Sequence, residues 1–138
     1  MTLEPLEAQQ LLWLTYTVVL TALIWVPYIL NRIVEMGLVP AVYNPQPDLA
    51  AKRQWANRMF RAHANAVENL VVFAPLVLVV IMAGASSDLT LMACVVYFFA
   101  RLAHAIVYTL GIPIIRPFLF TIGFICQMVL AVAILSAI

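Results

Sequence analysis

Four apolar runs, each long enough to cross a bilayer, leave this chain few ways to fold. A hydrocarbon core about 30 Å thick takes about 20 helical residues. The stretches at roughly 11 to 36, 56 to 84, 88 to 111 and 115 to 137 all reach that length. Composition agrees: charged residues make up 9% of the 138 residues, against about a quarter in soluble domains. The expected fold is an all-α integral membrane protein, a four-transmembrane-helix up-down bundle in a single membrane domain over residues 1–138. A net charge of +1 gives no argument for a nucleic-acid partner. Cys94 and Cys126 stand singly in apolar runs, with no metal-ligand spacing, and read as small core residues. No metal site is expected.

The connections are marked by helix breakers. Pro40, Pro45 and Pro47, with Asn44 and Asp48, make residues 37 to 55 the one long loop, with a helix cap expected near Asp48. In "AGASSDLT", Gly84 serves as a helix stop and Ser87 or Asp88 as an N-cap. Pro113 and Pro117 belong in the first turn of the last helix or just before it. "MTLEPLEAQQ" has two glutamates and no basic residue ahead of the first run, which is wrong for a cleavable signal peptide, so that helix is expected to be retained. Arg32, Lys52, Arg53, Arg58, Arg61 and Arg116 fall on one side of the bundle. The positive-inside rule then puts the long loop in the cytoplasm and both termini on the outer side.

A rise of about 1.5 Å per residue converts position into depth. Counted from the outer helix ends, Tyr28 and Arg32 come out at about 26 and 32 Å, and Glu68, Asn65 and Arg61 at about 24, 29 and 35 Å. On the same scale Arg101, His104 and Tyr108 lie at about 18, 23 and 29 Å and Arg116 at about 33 Å. The polar groups of four helices share one layer. Spacing also gives each stripe one face: Arg58, Arg61, Asn65 and Glu68 on the second helix, Arg101, His104 and Tyr108 on the third, and Tyr28, Arg32 and Glu35 on the first. Ionisable groups facing lipid are expensive, so the stripes should converge on each other or on a ligand. Arginine forks, amide and phenol donors and one carboxylate suit a small zwitterionic anion. The Leu, Val, Phe and Ile walls beyond them suit an apolar second substrate arriving from lipid.

Each residue has a structural alternative. Glu68 and Arg101 can pair only to fix packing, and His104 can be a satisfied core histidine. Tyr28, Tyr108 and Trp25 can form an interfacial belt, while Lys52, Arg53 and Arg58 read as topology and headgroup contacts. His63 lies off the Arg61 to Glu68 face and reads as structural, and Pro75 as a kink.

"RAHANAVENLVVF" with "ARLAHAIVYTLGIPIIR" resembles the MAPEG family, the membrane-associated proteins of eicosanoid and glutathione metabolism, and within it the bacterial members like microsomal glutathione transferases. The resemblance implies a homotrimer of four-helix protomers with glutathione as co-substrate, held between protomers near the cytoplasmic side. It assigns glutathione contacts to Arg61, Asn65 and Glu68, and to Arg101, His104 and Tyr108. Arg116 resembles the arginine implicated in stabilising the thiolate, and Arg32 the one that reaches into the neighbour's site. Two departures bear on the reaction. Prostaglandin E synthase has a serine where Pro117 follows Arg116, and leukotriene C synthase a tyrosine where Asn69 follows Glu68.

The resemblance therefore implies glutathione conjugation, or peroxide reduction, on lipophilic substrates rather than the specialised eicosanoid reactions. Arg116 and Tyr108 are the expected catalytic pair: an arginine beside a thiol whose free pKa is about 8.5 favours the thiolate, and Tyr108 offers it a hydrogen-bond donor. Two rival functions come from other classes. A small exporter would carry an isolated acidic group near mid-membrane on its first helix, whereas Glu35 lies at that helix's inner end beside Arg32. A noncatalytic assembly or lipid-binding protein on the same scaffold would show the same pattern.

Overall fold

The capping pair Glu4 and Glu7 starts the first helix six residues ahead of its apolar run. Glu4 is extended, Pro5 takes the first helical position, and the Glu4 amide donates to Glu7 Oε2 at 3.0 Å. The computed structural model describes residues 3–43 and 50–138. Over these it forms α1 (Pro5–Leu23), α2 (Trp25–Met36), α3 (Leu38–Tyr43), α4 (Gln54–Met82), α5 (Asp88–Leu110) and α6 (Ile115–Ala137). The cap expected near Asp48 lies outside the described residues. Among those described, the four spans long and apolar enough to cross a membrane are Pro5–Met36, Gln54–Met82, Asp88–Leu110 and Ile115–Ala137.

The first span is not one helix. Proline has no N–H, so Pro27 leaves the Leu23 carbonyl without its i+4 donor, and its ring crowds that carbonyl. The chain breaks at Ile24 and resumes as α2. Pro75 sits inside α4, which stays continuous through it. Ser87 caps α5, accepting from the Thr90 amide while Thr90 Oγ1 accepts from the Ser87 amide. Pro117 falls in the first turn of α6.

Helices α4 and α5 form the central pair. Each packs closely against α1 and α6, and α2 packs closely against α4. The core between them holds Leu14, Phe73, Val77, Val80, Tyr97, Cys94, Cys126 and Leu130, with Phe73 and Tyr97 stacked at 3.6 Å between ring centroids. Lipid tails are as apolar as these side chains, so the bundle gains from close packing and buried hydrogen bonds rather than from leaving water. Gly123 of α6 packs over Arg101 and Tyr97, where a Cβ would make ordinary contact at 3.6 and 3.7 Å.

Polar ties fix the register at both ends. At the end opposite the basic one the fully buried Gln10 donates to Thr90 Oγ1 at 2.7 Å and accepts from Ser86 Oγ at 2.9 Å. Each such bond within a bilayer contributes roughly 0.6 to 2 kcal/mol. At the basic end Glu35 of α2 accepts from the Lys52 and Arg53 amides at 2.9 and 3.2 Å, while Asn57 brackets Ala51 through both its amide groups. The start of α4 is thereby held against α2.

Candidate functional site

Where α4, α5 and α6 meet at the basic end, a cleft of about 350 Å³ is lined by Gln54, Asn57, Arg58, Arg61, Tyr108 and Arg116. Two features of the local sequence build it. Gly111 ends α5 in the left-handed region at φ 80°, open to glycine at little strain, and the short turn that follows returns the chain into α6 with Arg116 as its second residue. Arg116 then lies over Tyr108, its guanidinium carbon 4.5 Å from the ring centroid. This is cation–π geometry, in which the ring face attracts the charge. It fixes Arg116 at the cleft although the residue is exposed.

Arg58 closes the other side. Its Nε donates to the Thr109 carbonyl at 2.8 Å, one residue past Tyr108, and Nη1 makes a longer contact to Gln54 Oε1 at 3.4 Å. The guanidinium packs under Gly111, where a Cβ would come within 3.1 Å of Nε. Among the described residues, three arginines and no carboxylate line this cleft. A site so composed suits an anion, since arginine forks match carboxylates.

Of the residues singled out in the sequence, Arg61, Tyr108 and Arg116 meet in the cleft. Asn65, Arg101 and His104 stand behind it. Arg101, 4% exposed, donates through Nη2 to Asn65 Oδ1 at 2.6 Å, and its Nε and Nη1 have no partner among the described residues. A relay continues from there: Asn69 donates to the Asn65 carbonyl at 2.9 Å and Gln127 to the Asn69 carbonyl at 3.1 Å, tying α5, α4 and α6. Arg101 thus pairs with Asn65, and no Arg101–Glu68 ion pair forms among the described residues. His104 is buried edge-on to Tyr108, with ring centroids 5.6 Å apart. It supports that ring from inside the bundle.

Glu68 lies on the exposed face of α4. Arg32 lines a second cleft of about 460 Å³ between α2 and α4, with Tyr28, Glu35, Lys52 and Phe60 among its walls, and Arg61 borders both clefts. His63 hydrogen-bonds Tyr28 through Nδ1 at 2.8 Å and so joins α2 to α4. Tyr28 also meets Phe60 edge-on, which gives it a packing role in place of a free interfacial position. Arg58 is the cleft residue that sequence reasoning assigned elsewhere. Its place on the face of Arg61 and Asn65 was the available signal; its anchor at Thr109, 51 residues away, was not readable.

The sequence profile of the MAPEG family matches residues 10–136. The chain belongs to the MAPEG family. It is an integral, multi-pass membrane bundle of the family of eicosanoid and glutathione metabolism. Comparisons with curated proteins and with solved structures gave no match. Within this MAPEG chain, Arg61, Tyr108 and Arg116 meet in one cleft.

Proposed function

We propose that this protein binds glutathione at the cleft between α4, α5 and α6 and activates its thiol for transfer to lipophilic electrophiles or for reduction of lipophilic peroxides. The observation that carries the reading is the convergence of Arg61, Tyr108 and Arg116 from three helices on one cleft that no carboxylate lines among the described residues. Glutathione has two carboxylates, and a thiol that becomes a third anion when ionised. A partly buried cationic site favours the ionised form of a nearby thiol and lowers its pKa from about 8.5 toward neutrality. Arg116 stabilises the sulfur, and Tyr108, held by Arg116 and His104, orients a hydroxyl for it. In conjugation the sulfur lone pair forms the new bond to the electrophile while its leaving group departs with the bonding electrons. In peroxide reduction two glutathiones supply the two electrons, giving the disulfide, an alcohol and water.

The protomer leaves part of the site open. Glu68 and Arg61 are exposed, and a lipid-facing carboxylate at the depth of Glu68 would cost several kcal/mol. A homotrimer that seats these groups against a neighbouring protomer removes that cost and lets Arg32 of one chain approach the site of the next. The basic end then faces the cytoplasm under the positive-inside rule, with both termini outside. Calorimetric glutathione binding to the purified protein, followed by turnover of a chromogenic electrophile, tests the reading. Saturable binding with turnover supports it, binding without turnover reduces the protein to a noncatalytic glutathione binder, and absence of binding overturns it.

A further inference from the structure

The short helix that leaves the first span at the basic end is apolar throughout, and none of its residues is buried among the described residues. α3 reads Leu-Val-Pro-Ala-Val-Tyr, with Leu38, Val39, Val42 and Tyr43 between 61% and 87% exposed. Along the chain they continue the exposed Leu30 and Val34 of α2. A contiguous apolar surface of this kind marks contact with a membrane or a partner. Gly37 ends α2 at φ 85° and ψ 159°, a conformation open to glycine, so α3 does not run on along the α2 axis. Its level follows from helical rise: Met36 lies about 6 Å beyond Arg32, which shares its layer with Arg116. Headgroups add roughly 5 to 7 Å to each side of the hydrocarbon, so the chain turns into α3 at headgroup depth.

We infer that α3 lies in the membrane surface as an anchoring foot, with its apolar side chains in the boundary between headgroups and acyl chains, and that Lys52 and Arg53 hold it there on anionic lipid headgroups. Charge selects this partner. Glu35, two residues before Gly37, accepts from the Lys52 and Arg53 amides at 2.9 and 3.2 Å and from the Asn31 amide at 2.8 Å. The carboxylate thereby pins both basic residues beside the end of α2, with their side chains exposed. From residue 49 to residue 67 the sequence has Lys52, Arg53, Arg58 and Arg61 and no acid. Exposed cations next to apolar side chains at headgroup depth, with Tyr43 at the end of the helix, match an anionic bilayer surface. The inference does not depend on the glutathione reading.

The test places a nitroxide spin label on Val39→Cys, in a Cys94→Ala, Cys126→Ala background, and reconstitutes the full chain in phosphatidylcholine vesicles with and without phosphatidylglycerol. Power saturation then compares access of oxygen, which concentrates in the bilayer, with access of a water-soluble nickel chelate. In vesicles containing phosphatidylglycerol, oxygen access at Val39 is expected to exceed nickel access several-fold. The ratio should shift toward nickel when phosphatidylglycerol is left out, when salt is raised, or when Lys52→Gln and Arg53→Gln are combined. Nickel access exceeding oxygen access would place α3 in water and overturn the inference. Poor access to both would mean that protein covers α3, from a neighbouring protomer or from the chain itself, and would overturn it too. So would an identical ratio in the two kinds of vesicle, because the anionic headgroups would then contribute nothing. If the cysteine-free background does not fold, labelling Val39→Cys in the native background, whose two cysteines are buried, gives the same reading.

Discussion

Arg116 rests on the face of Tyr108 at 4.5 Å, so the residue expected to steady a thiolate is itself steadied by the residue expected to donate to it. A cation–π contact of this kind contributes about 0.5 to 2 kcal/mol depending on its desolvation. Tyr108→Phe keeps the ring and loses only the hydroxyl; Tyr108→Leu loses both. Turnover should fall further in Tyr108→Leu than in Tyr108→Phe, with the glutathione affinity of the two variants alike. Equal turnover in both variants would show that the ring does not position Arg116.

Arg61 and His63 separate binding from packing. Arg61 lines the cleft, and Arg61→Ala should weaken glutathione binding by roughly 1.5 to 3 kcal/mol, the scale for a hydrogen bond to a charged group. His63 instead ties α4 to Tyr28 of α2, so His63→Ala should lower the melting temperature and change affinity much less. Calorimetry and thermal unfolding of each variant check both halves, and a larger loss of affinity at His63 would reverse the assignment.

The Arg101–Asn65 bond at 2.6 Å predicts a coupled stability effect. Asn65→Ala strips a buried arginine of its one described partner, which should cost about 1 to 3 kcal/mol. Arg101→Met alone, which leaves no buried charge, should cost less. The double variant should be more stable than the sum of the single changes implies, as a thermal-unfolding double-mutant cycle would show. Strict additivity would mean that the bond is energetically silent.

The proposed trimer seats the exposed Glu68 against a neighbouring protomer. Native mass spectrometry from mild detergent should show trimers, with Glu68→Arg shifting the population toward monomer. Monomers alone in the wild type would remove the neighbour from the account of the site.

The spans, the Ser87 cap and the turn into α6 were legible in the sequence because each is set locally, by hydropathy, a capping hydroxyl or a proline. The early start at Pro5 was legible in principle, since Glu4 and Glu7 form a capping pair, but polar composition hid it. The break at Ile24 had its signal in Pro27, three residues further on. Helical spacing gave the faces of Arg101 and His104 correctly as shared with Tyr108, yet spacing cannot tell the wall of a cleft from the layer behind it. That distinction depends on how α6 packs against α4 and α5. The role of Arg58 depends on a carbonyl on another helix, and no local pattern contains it.

The central claim, that Arg116 stabilises a bound thiolate, is tested most directly by ultraviolet titration of glutathione bound to wild type and to Arg116→Ala. Loss of the guanidinium disfavours the ionised sulfur more than the neutral one. The account therefore predicts a bound thiol pKa below the free value of about 8.5 in the wild type, and a pKa raised back toward it in Arg116→Ala, with much of the affinity kept and turnover reduced more than binding. An unchanged thiol pKa together with unchanged turnover in Arg116→Ala would contradict it.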